Sequence, residues 1–223
     1  MSKKVIVPSL IVIVIAVFFG YRVYNEFINP PVANIQKQLE IMYEEYFSDE
    51  SDDNDNAAVE VSSYILGIRR ARIAIEEYLS GVNGNTPSGR QRVHEYTGGR
   101  DIPWCVNFAS WVTQQAGSPV GDESNGFRID NTWELKDWLL EHGTYYDKET
   151  LLEDPSLLQV GDILLYSRGA EGQRLGHVFI VVNVRENGNV DTVDGNIQNR
   201  LRMLDNLDYM GRFGFMGIGR AER

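Results

Sequence analysis

The chain has 223 residues, 43% of them apolar, and a formal net charge of −11. This length allows one sizeable hydrophobic core but not two large domains in addition to a membrane anchor. We find no clustered basic face in the sequence, and with the acidic balance this argues against nucleic-acid binding. We therefore expect one domain with an N-terminal extension.

Residues 5–21 (VIVPSLIVIVIAVFFGY) carry no charged side chain. A helix of about 17 residues is near the lower limit for crossing a hydrocarbon layer of roughly 30 Å. We predict a single transmembrane helix within residues 1–24, with the lipid bilayer as its partner. A cleaved signal peptide is the alternative, but it should end in small residues at A-x-A spacing, whereas this segment ends in FFGY.

The charges that flank this segment predict its orientation. Lys3 and Lys4 precede it, while Arg22 alone follows it closely. Positive charge favours the cytoplasmic side of a membrane. The sequence thus predicts a single-pass protein of the cell membrane whose folded domain lies on the extracytoplasmic side.

Residues 25–56 are predicted to connect the anchor to a domain at 57–223. Residues 34–47 have apolar side chains at helical spacing and predict a short amphipathic helix. Residues 48–56 (SDESDDNDN) contain no apolar side chain and predict a solvated acidic linker. The acidic residues fall at the spacing of a calcium-binding EF-hand loop, but Asn54 replaces the required glycine, so we expect no metal.

Three segments of the domain predict helices. Residues 57–79 predict an amphipathic helix, with Arg69, Arg70, Glu76 and Glu77 largely off its apolar stripe. Pro103 precedes a second helix that ends at Gly117, so its first turn contains the cysteine discussed below. Residues 131–142 begin with an asparagine N-cap and end at a glycine. The apolar stripe of the first helix consists of Val61, Ile65, Ile68, Ala71, Ile75 and Leu79.

Short β-prone runs follow the helices, at residues 160–167, 177–184, 190–194 and 213–218. Asn187-Gly188 predicts a two-residue hairpin turn between the second and third runs. Helices followed by antiparallel strands predict an α+β domain.

Cys105 is the single cysteine of the chain and cannot form an internal disulfide. It is either a buried apolar filler or a free thiol retained for its reactivity. In the first turn of a helix, the helix dipole and the unpaired N–H groups favour the thiolate. The same N–H groups could stabilise the oxyanion of an attacked carbonyl, so the position predicts a nucleophile.

A nucleophilic thiol needs a base, and the chain has three histidines. His142 lies in the last turn of its predicted helix, where an imidazole can bond free carbonyls. His94 lies in a polar stretch and is expected at the surface. His177 opens a strand directly after Gly176, where packing alone does not explain a polar residue. We predict His177 as the base, with a hydrogen-bonded core histidine as the alternative.

The hairpin also predicts which side chains orient this histidine. A two-residue turn places His177 opposite Gln198, with Asp194 and Asn196 on the same face of the sheet. Strict register brings Asn196 nearer, whereas a bulge or irregular strand end at Gly195 would favour Asp194. Both residues stay candidates.

Four segments in this order resemble the successive motifs of CHAP domains, the cysteine, histidine-dependent amidohydrolases/peptidases: PWCVNFASWVTQQAG, VGDILLYS, GHVFIVVNV and TVDGN. The resemblance covers residues 61–218 and implies a papain-like core in which N-terminal helices pack on an antiparallel sheet. It implies Cys105 as nucleophile, His177 as base, and Asp194 and Asn196 as the residues that orient the imidazole. The family usually has glutamate where this chain has Asp194. The neighbouring NlpC/P60 family shares the architecture, but its DCSG motif is absent.

The resemblance implies a peptidoglycan peptide as substrate and no cofactor. The cut would fall at the bond between glycan and L-alanine, as in an N-acetylmuramoyl-L-alanine amidase, or within a stem peptide or cross-bridge, as in an endopeptidase. Two alternatives stay open: a catalytically silent wall-binding scaffold of an envelope complex, and a hydrolase of a non-wall amide. Trp104 is expected to pack in the core beside the nucleophile, with a groove-lining role as the alternative.

Overall fold

The structure, a computed structural model, describes residues 55–169 and 173–222 together with Lys37 and Ile41, with only the backbone for 55–61. The predicted anchor at 5–21 and most of the predicted acidic linker lie outside the described residues. Lys37 and Ile41 are helical, in the segment predicted as an amphipathic helix. Within the described ranges, no helix is both long enough and apolar enough to span a membrane.

Helices make up the first half of the described chain. Short 3₁₀ turns at Glu123–Asn125 and Pro155–Leu157 lie among them. The α-helices are α1 (Asp55–Leu79), α2 (Pro87–Thr97), α3 (Cys105–Ala116), α4 (Thr132–His142) and α5 (Lys148–Glu153).

Six strands form one sheet in the order β1-β6-β2-β3-β4-β5, and every neighbouring pair is antiparallel. The predicted α+β class, with helices packed on an antiparallel sheet, is confirmed. The strands are β1 (Thr144–Asp147), β2 (Ile163–Arg168), β3 (Leu175–Val184), β4 (Val190–Ile197), β5 (Arg200–Leu207) and β6 (Phe215–Arg220).

Strand β3 is buried on both faces because its alternate side chains enter two different hydrophobic clusters. Val178, Ile180 and Val182 pack with the residues of α1 to α4. Phe179 and Val181 pack on the other face with residues of α5 and β6. Full burial of such a side chain contributes roughly 1.5–3 kcal/mol. β3 is therefore held firmly in the middle of the domain.

Helix α1 buries the apolar stripe that the sequence predicts. Ile68, Ala71 and Ile75 are almost wholly inaccessible to solvent. The helix begins at Asp55, inside the segment predicted as linker. The domain boundaries as such stay predictions.

Two polar residues of α1 that the sequence places off this stripe are also buried. Arg70 donates a hydrogen bond to the carbonyl oxygen of Ala221 at 2.6 Å. Glu77 accepts one from the hydroxyl of Tyr96 at 2.5 Å. Both side chains can be buried because residues outside α1 supply hydrogen-bond partners. The helical pattern of α1 alone does not reveal those partners.

Helix α2 is an element that the sequence pattern does not predict. Val93 and Tyr96 are its only buried large apolar side chains, so the helix has no apolar stripe of its own. Its signal is at the start: Pro87 occupies the first turn, and Thr86 Oγ1 accepts from the N–H of Gly89 at 3.2 Å.

The other predicted helix ends are confirmed. Asn131 caps α4 by accepting from the N–H groups of Trp133 and Glu134, both at 3.0 Å. Helix α3 ends at Gly117, which adopts the left-handed conformation at φ 91°.

Strands β1 and β5 are not among the predicted runs. Both lie at the edges of the sheet, where side chains need not be apolar on both faces. Their sequences, TYYD and RLRMLDNL, are correspondingly polar.

The predicted two-residue hairpin turn is wrong. The N–H of Arg185 bonds the carbonyl oxygen of Asn189 at 2.8 Å, and the N–H of Gly188 bonds the carbonyl oxygen of Arg185 at 2.9 Å. The loop between β3 and β4 therefore contains three residues, 186–188. Gly188, the last of the three loop residues, adopts the positive φ of 82° that a three-residue hairpin loop requires at this position.

The β3–β4 pairing also contains a register shift, between Val181 and Asn183 of β3. The shift and the extra loop residue each change which residue of β4 faces a given residue of β3, and the predicted register includes neither. His177 is accordingly not paired with Gln198, and that prediction is wrong.

Asp162, in the VGD segment, holds the last strand to the rest of the sheet. It is fully buried and accepts two hydrogen bonds from Arg220, from Nε at 2.8 Å and from Nη2 at 2.9 Å. It also accepts from the N–H of Gln159 at 2.8 Å. Arg70 is buried near the same carboxylate, so one negative charge faces two guanidinium groups.

Replacing Asp162 by asparagine leaves the Arg220 and Arg70 charges buried without a counter-charge. We expect the free energy of unfolding to fall by roughly 3 kcal/mol or more. Thermal or denaturant unfolding of the full chain, followed by circular dichroism, measures the loss. The matched control is Asp137→Asn, which removes an exposed ion pair with Arg174 and should cost under about 1 kcal/mol. Equal losses would contradict a structural role for Asp162.

Candidate active site

Cys105 is the first residue of α3, as the sequence predicts. Trp104, at the N-cap, makes no side-chain capping bond. The first N–H groups of the helix are therefore free of a side-chain cap, and those of Cys105 and Val106 interact with the sulfur. Cys105 is buried, at 9% exposure.

Burial raises the pKa of the Cys105 thiol above its ordinary value of 9.0. The N–H groups of the helix start and the positive charge of Arg168 act in the opposite direction, while the charge of Asp194 adds to the rise. The predicted effect of the helix terminus is thus present, but desolvation outweighs it. Whether the resting side chain is a thiolate stays a prediction, and the direction of this pKa shift favours the neutral thiol.

His177 is buried and bonded to Asp194. Its Nε2 lies 2.6 Å from Asp194 Oδ2. Because a carboxylate can only accept, we assign the ring proton to Nε2, which leaves Nδ1 as the basic atom. Burial lowers the pKa of His177 below 6.5, the charge of Asp194 raises it, and the charges of Arg168 and Arg202 lower it further. His177 is therefore neutral at pH 7.

Arg202 of β5 fixes the other side of this carboxylate. Its Nε donates to Asp194 Oδ1 at 3.0 Å and its Nη2 donates to Asp194 Oδ2 at 2.7 Å. The two residues are direct partners in the pairing of β4 with β5. A two-point guanidinium bond fixes the plane of a carboxylate as well as its charge. Arg202 could not be found from the sequence pattern because β5 is not predicted.

Asp194, and not Asn196, is the residue bonded to His177. The strict register that places Asn196 nearer is wrong. An irregular strand end at Gly195 is the expectation that the structure confirms, since the β4–β5 register shifts between Asp194 and Ile197. Asn196 has a left-handed backbone, at φ 64°, and is half-buried.

Gly195 allows the start of α3 to lie against β4. A Cβ atom at this position would lie 2.7 Å from the Trp104 ring and 3.1 Å from Phe108 Cβ. Any other residue would push the helix and its cysteine away from the sheet. Trp104 is 2% exposed, so it packs in the core as expected and does not line a groove. The sequence marks Gly195 as the fourth residue of TVDGN and as a position for a bulge or an irregular strand end.

The structure brings His177 and Asp194 into direct contact. Cys105 is close enough to Asp194 for the charge of the carboxylate to act on the thiol. Arg168 interacts with the charges of Cys105, His177 and Asp194 alike. Within the described part of the chain, no hydrogen bond joins Cys105 Sγ to the imidazole. Catalytic hydrogen bonds are often long in a free enzyme and shorten when substrate binds.

The other two histidines are placed as predicted. His94 is exposed on α2. His142 Nδ1 lies 3.3 Å from the carbonyl oxygen of Trp138, and its ring stacks on that indole at 5.3 Å.

Metal binding has no candidate among the residues whose side chains are described. No group of three or more His, Cys, Asp and Glu side chains is arranged there to hold an ion. Most of the faint calcium-loop pattern precedes the described ranges.

Residues 96–196 match the family model of the CHAP domain. This range contains Cys105, His177, Asp194 and Asn196, together with the whole of α3. This part of the chain is therefore similar to the CHAP domain, in the context of the papain-like and NlpC/P60 peptidases. Comparisons with the curated proteins and with the solved structures give no match. A CHAP domain implies a hydrolase of the peptidoglycan amidase or peptidase type.

The bonding around His177 predicts opposite responses to two substitutions. Asp194→Asn removes the charge that raises the pKa of His177, so this pKa should fall. Arg202→Gln removes a charge that lowers it, so the pKa should rise. Nuclear magnetic resonance titration of the His177 ring in wild type and in the two variants measures these pKa shifts. The signal that is missing in His177→Ala identifies this ring. A His177 pKa that does not move in either variant would contradict the described contacts.

Proposed function

We propose that this chain is a membrane-anchored peptidoglycan hydrolase that cleaves amide bonds of wall peptides by cysteine–histidine acyl transfer. The observation that carries the proposal is the buried bond of 2.6 Å between His177 and Asp194, inside a segment similar to the CHAP domain whose only cysteine begins a helix. In this proposal Cys105 is the nucleophile and His177 the base. The scissile bond is that of an N-acetylmuramoyl-L-alanine amidase or of an endopeptidase.

The reaction starts from a neutral thiol and a neutral imidazole, in accordance with the directions of both pKa shifts. Nδ1 of His177 accepts the Sγ proton while Cys105 Sγ forms a bond to the amide carbonyl carbon. The carbonyl π electrons move to oxygen, and the free N–H groups at the start of α3 stabilise this oxyanion. The imidazolium that forms is stabilised by the Asp194 carboxylate.

The imidazolium then returns its proton to the nitrogen of the leaving amine as the C–N bond breaks. This leaves a thioester on Cys105. In the second half, His177 takes a proton from water, the oxygen bonds to the thioester carbon, and the C–S bond breaks to give the carboxylic acid product and the restored thiol. Asp194 serves both halves by holding Nε2, and Arg202 serves by holding Asp194.

The proposed location places this chemistry at the wall. The uncharged stretch at 5–21 supports a membrane anchor within 1–24, and residues 25–56 would connect it to the catalytic domain at 57–223 on the extracytoplasmic side. Tethering raises the effective concentration of the domain near the inner face of the wall. Partner proteins of an envelope complex would meet the chain on this extracytoplasmic side of the membrane.

Digestion of purified peptidoglycan tests the proposal. The full chain in detergent micelles should release fragments with new amino termini, detected by mass spectrometry. Cys105→Ala should release none, and His177→Ala should lose about 10²-fold or more in rate, because general base catalysis typically contributes that much. His94→Ala, which removes an exposed histidine, is the matched control and should keep the wild-type rate.

Equal release by wild type and Cys105→Ala would overturn the role of Cys105. Tight binding of peptidoglycan by both proteins, with cleavage by neither, would favour a wall-binding scaffold. In either case the similarity to the CHAP domain would stand and the proposed catalysis would not.

The pKa directions also predict the pH dependence of kcat/KM. The reactive form has His177 neutral and Cys105 protonated. Since the pKa of His177 lies below 6.5, activity should rise with pH and level off by about that value. Since the pKa of Cys105 lies above 9.0, loss of the thiol proton should not reduce activity until the pH exceeds it. An initial-rate profile that falls steeply between pH 6.5 and 9.0 would contradict this resting state.

A further inference from the structure

A cavity of about 220 Å³ lies beside His177, on the face of the sheet that carries Tyr166 and Phe179. Arg168 and Arg212 both line it. Tyr166 is the direct β2 partner of His177 in the β2–β3 pairing. The Phe179 ring is 4.8 Å from the imidazole of His177. The cavity is therefore next to the proposed catalytic base.

Neither guanidinium group is bonded to a carboxylate within the described residues, although the charge of Asp194 also acts on Arg168. Neither Arg168 nor Arg212 forms an ion pair or a side-chain hydrogen bond there. The nearby Arg202 differs, because the Asp194 carboxylate compensates it. Burial is the main cause of the lowered pKa of Arg168, and the like charge of Arg212 contributes to it. In a chain of net charge −11, two arginines without an ion pair at one cavity form a local positive surface.

Arg212 is held in an orientation that suits an anion. Its guanidinium carbon lies 5.6 Å from the Tyr166 ring centroid and 5.1 Å from the Phe179 ring centroid. Contact with aromatic rings engages the face of a guanidinium and leaves its N–H edge available for a planar acceptor. Phe213, which follows it, is 93% exposed and offers an apolar surface at the same cavity.

We propose that Arg168 and Arg212 form a subsite for a free carboxylate of the substrate peptide, located close to the scissile amide. This inference rests on the proposed function and names the chemical class of its substrate: an acidic peptide, whose carboxylate fits between the two N–H edges. Arg168 joins the subsite to the reaction centre, because its charge also acts on Cys105 and His177. In this proposal Arg212 acts as a binding residue through its place in the cavity lining.

The test uses the full chain in detergent micelles and two muropeptide preparations of identical glycan and peptide sequence. One keeps its free peptide carboxylates, and in the other they are converted to carboxamides. Wild type should prefer the carboxylate form by about tenfold or more in kcat/KM, because charge-assisted bidentate bonds are the strong ones. The preference should shrink in Arg168→Gln and in Arg212→Gln, and fall to about one in the double variant.

The comparison of the two substrates cancels any effect of Arg168 on the reactivity of Cys105. As a further readout, Arg212→Gln should show a reduced preference without a shift in the pH profile, which a general loss of structure would not produce. Arg174→Gln is the matched control: it removes the same charge from an exposed residue paired with Asp137 and should keep the wild-type preference.

Equal cleavage of both substrates by wild type overturns the subsite and leaves the proposed function intact. If wild type cleaves neither, the proposed function fails, and calorimetric titration of the two preparations into Cys105→Ala decides the subsite on binding alone. Equal affinity for both overturns it, and tighter binding of the carboxylate form supports it.

Discussion

The carboxylate of Asp194 is buried and shared by His177 of β3 and Arg202 of β5. A buried charge is tolerated only when it is paired and its lone pairs are used. Here a guanidinium supplies the counter-charge and a ring N–H uses a further lone pair. The three central elements of the site, β3, β4 and β5, are therefore fixed relative to one another by one residue.

This arrangement determines which nitrogen of His177 is available. With Nε2 bonded to Asp194, Nδ1 is left for chemistry, and the neutral ring is favoured by burial and by the charges of Arg168 and Arg202. The charge of Arg202 also opposes the effect of the Asp194 carboxylate, which raises the pKa of His177. The result is a base that is unprotonated at neutral pH and that gains stabilisation once it accepts a proton.

Cys105 is subject to two opposing effects of its position. The start of α3 offers N–H groups that favour the thiolate, and Gly195 lets the helix pack directly on β4. The same packing removes the sulfur from water and raises the pKa of the thiol. Burial is the larger effect, so the thiolate forms only as His177 takes the proton. A reactive thiol that is protonated at rest is also protected from oxidation and from unrelated electrophiles.

The sequence predicted the parts of this structure that depend on local patterns. The apolar stripe of α1, the start of α3 at Cys105 and the strand that begins near His177 follow from periodicity and from turn residues. The motifs around Cys105 and His177 carried the resemblance to CHAP domains. Helix α2 and the edge strands were missed because their side chains are mostly polar.

Features that depend on contacts between distant segments could not be predicted in this way. Arg202 became visible only when β5 was paired with β4, and the burial of Arg70 only when Ala221 was placed beside it. One extra residue in the hairpin loop and a register shift in β3 changed the pairing of β4 with β3, and the irregular end of β4 left Asp194, not Asn196, as the bonded partner of His177. Desolvation of Cys105 is likewise a property of the packed structure.

The pH dependence of alkylation at Cys105 tests the central claim most directly. Cys105 is the only cysteine of the chain, so incorporation of iodoacetamide, followed by intact-protein mass spectrometry, reports the thiolate at this one position. A buried, neutral thiol predicts slow alkylation at neutral pH and a single rise in rate at a pH above 9.0. Fast alkylation that is already constant near pH 6 would show a thiolate–imidazolium pair at rest and would contradict the account.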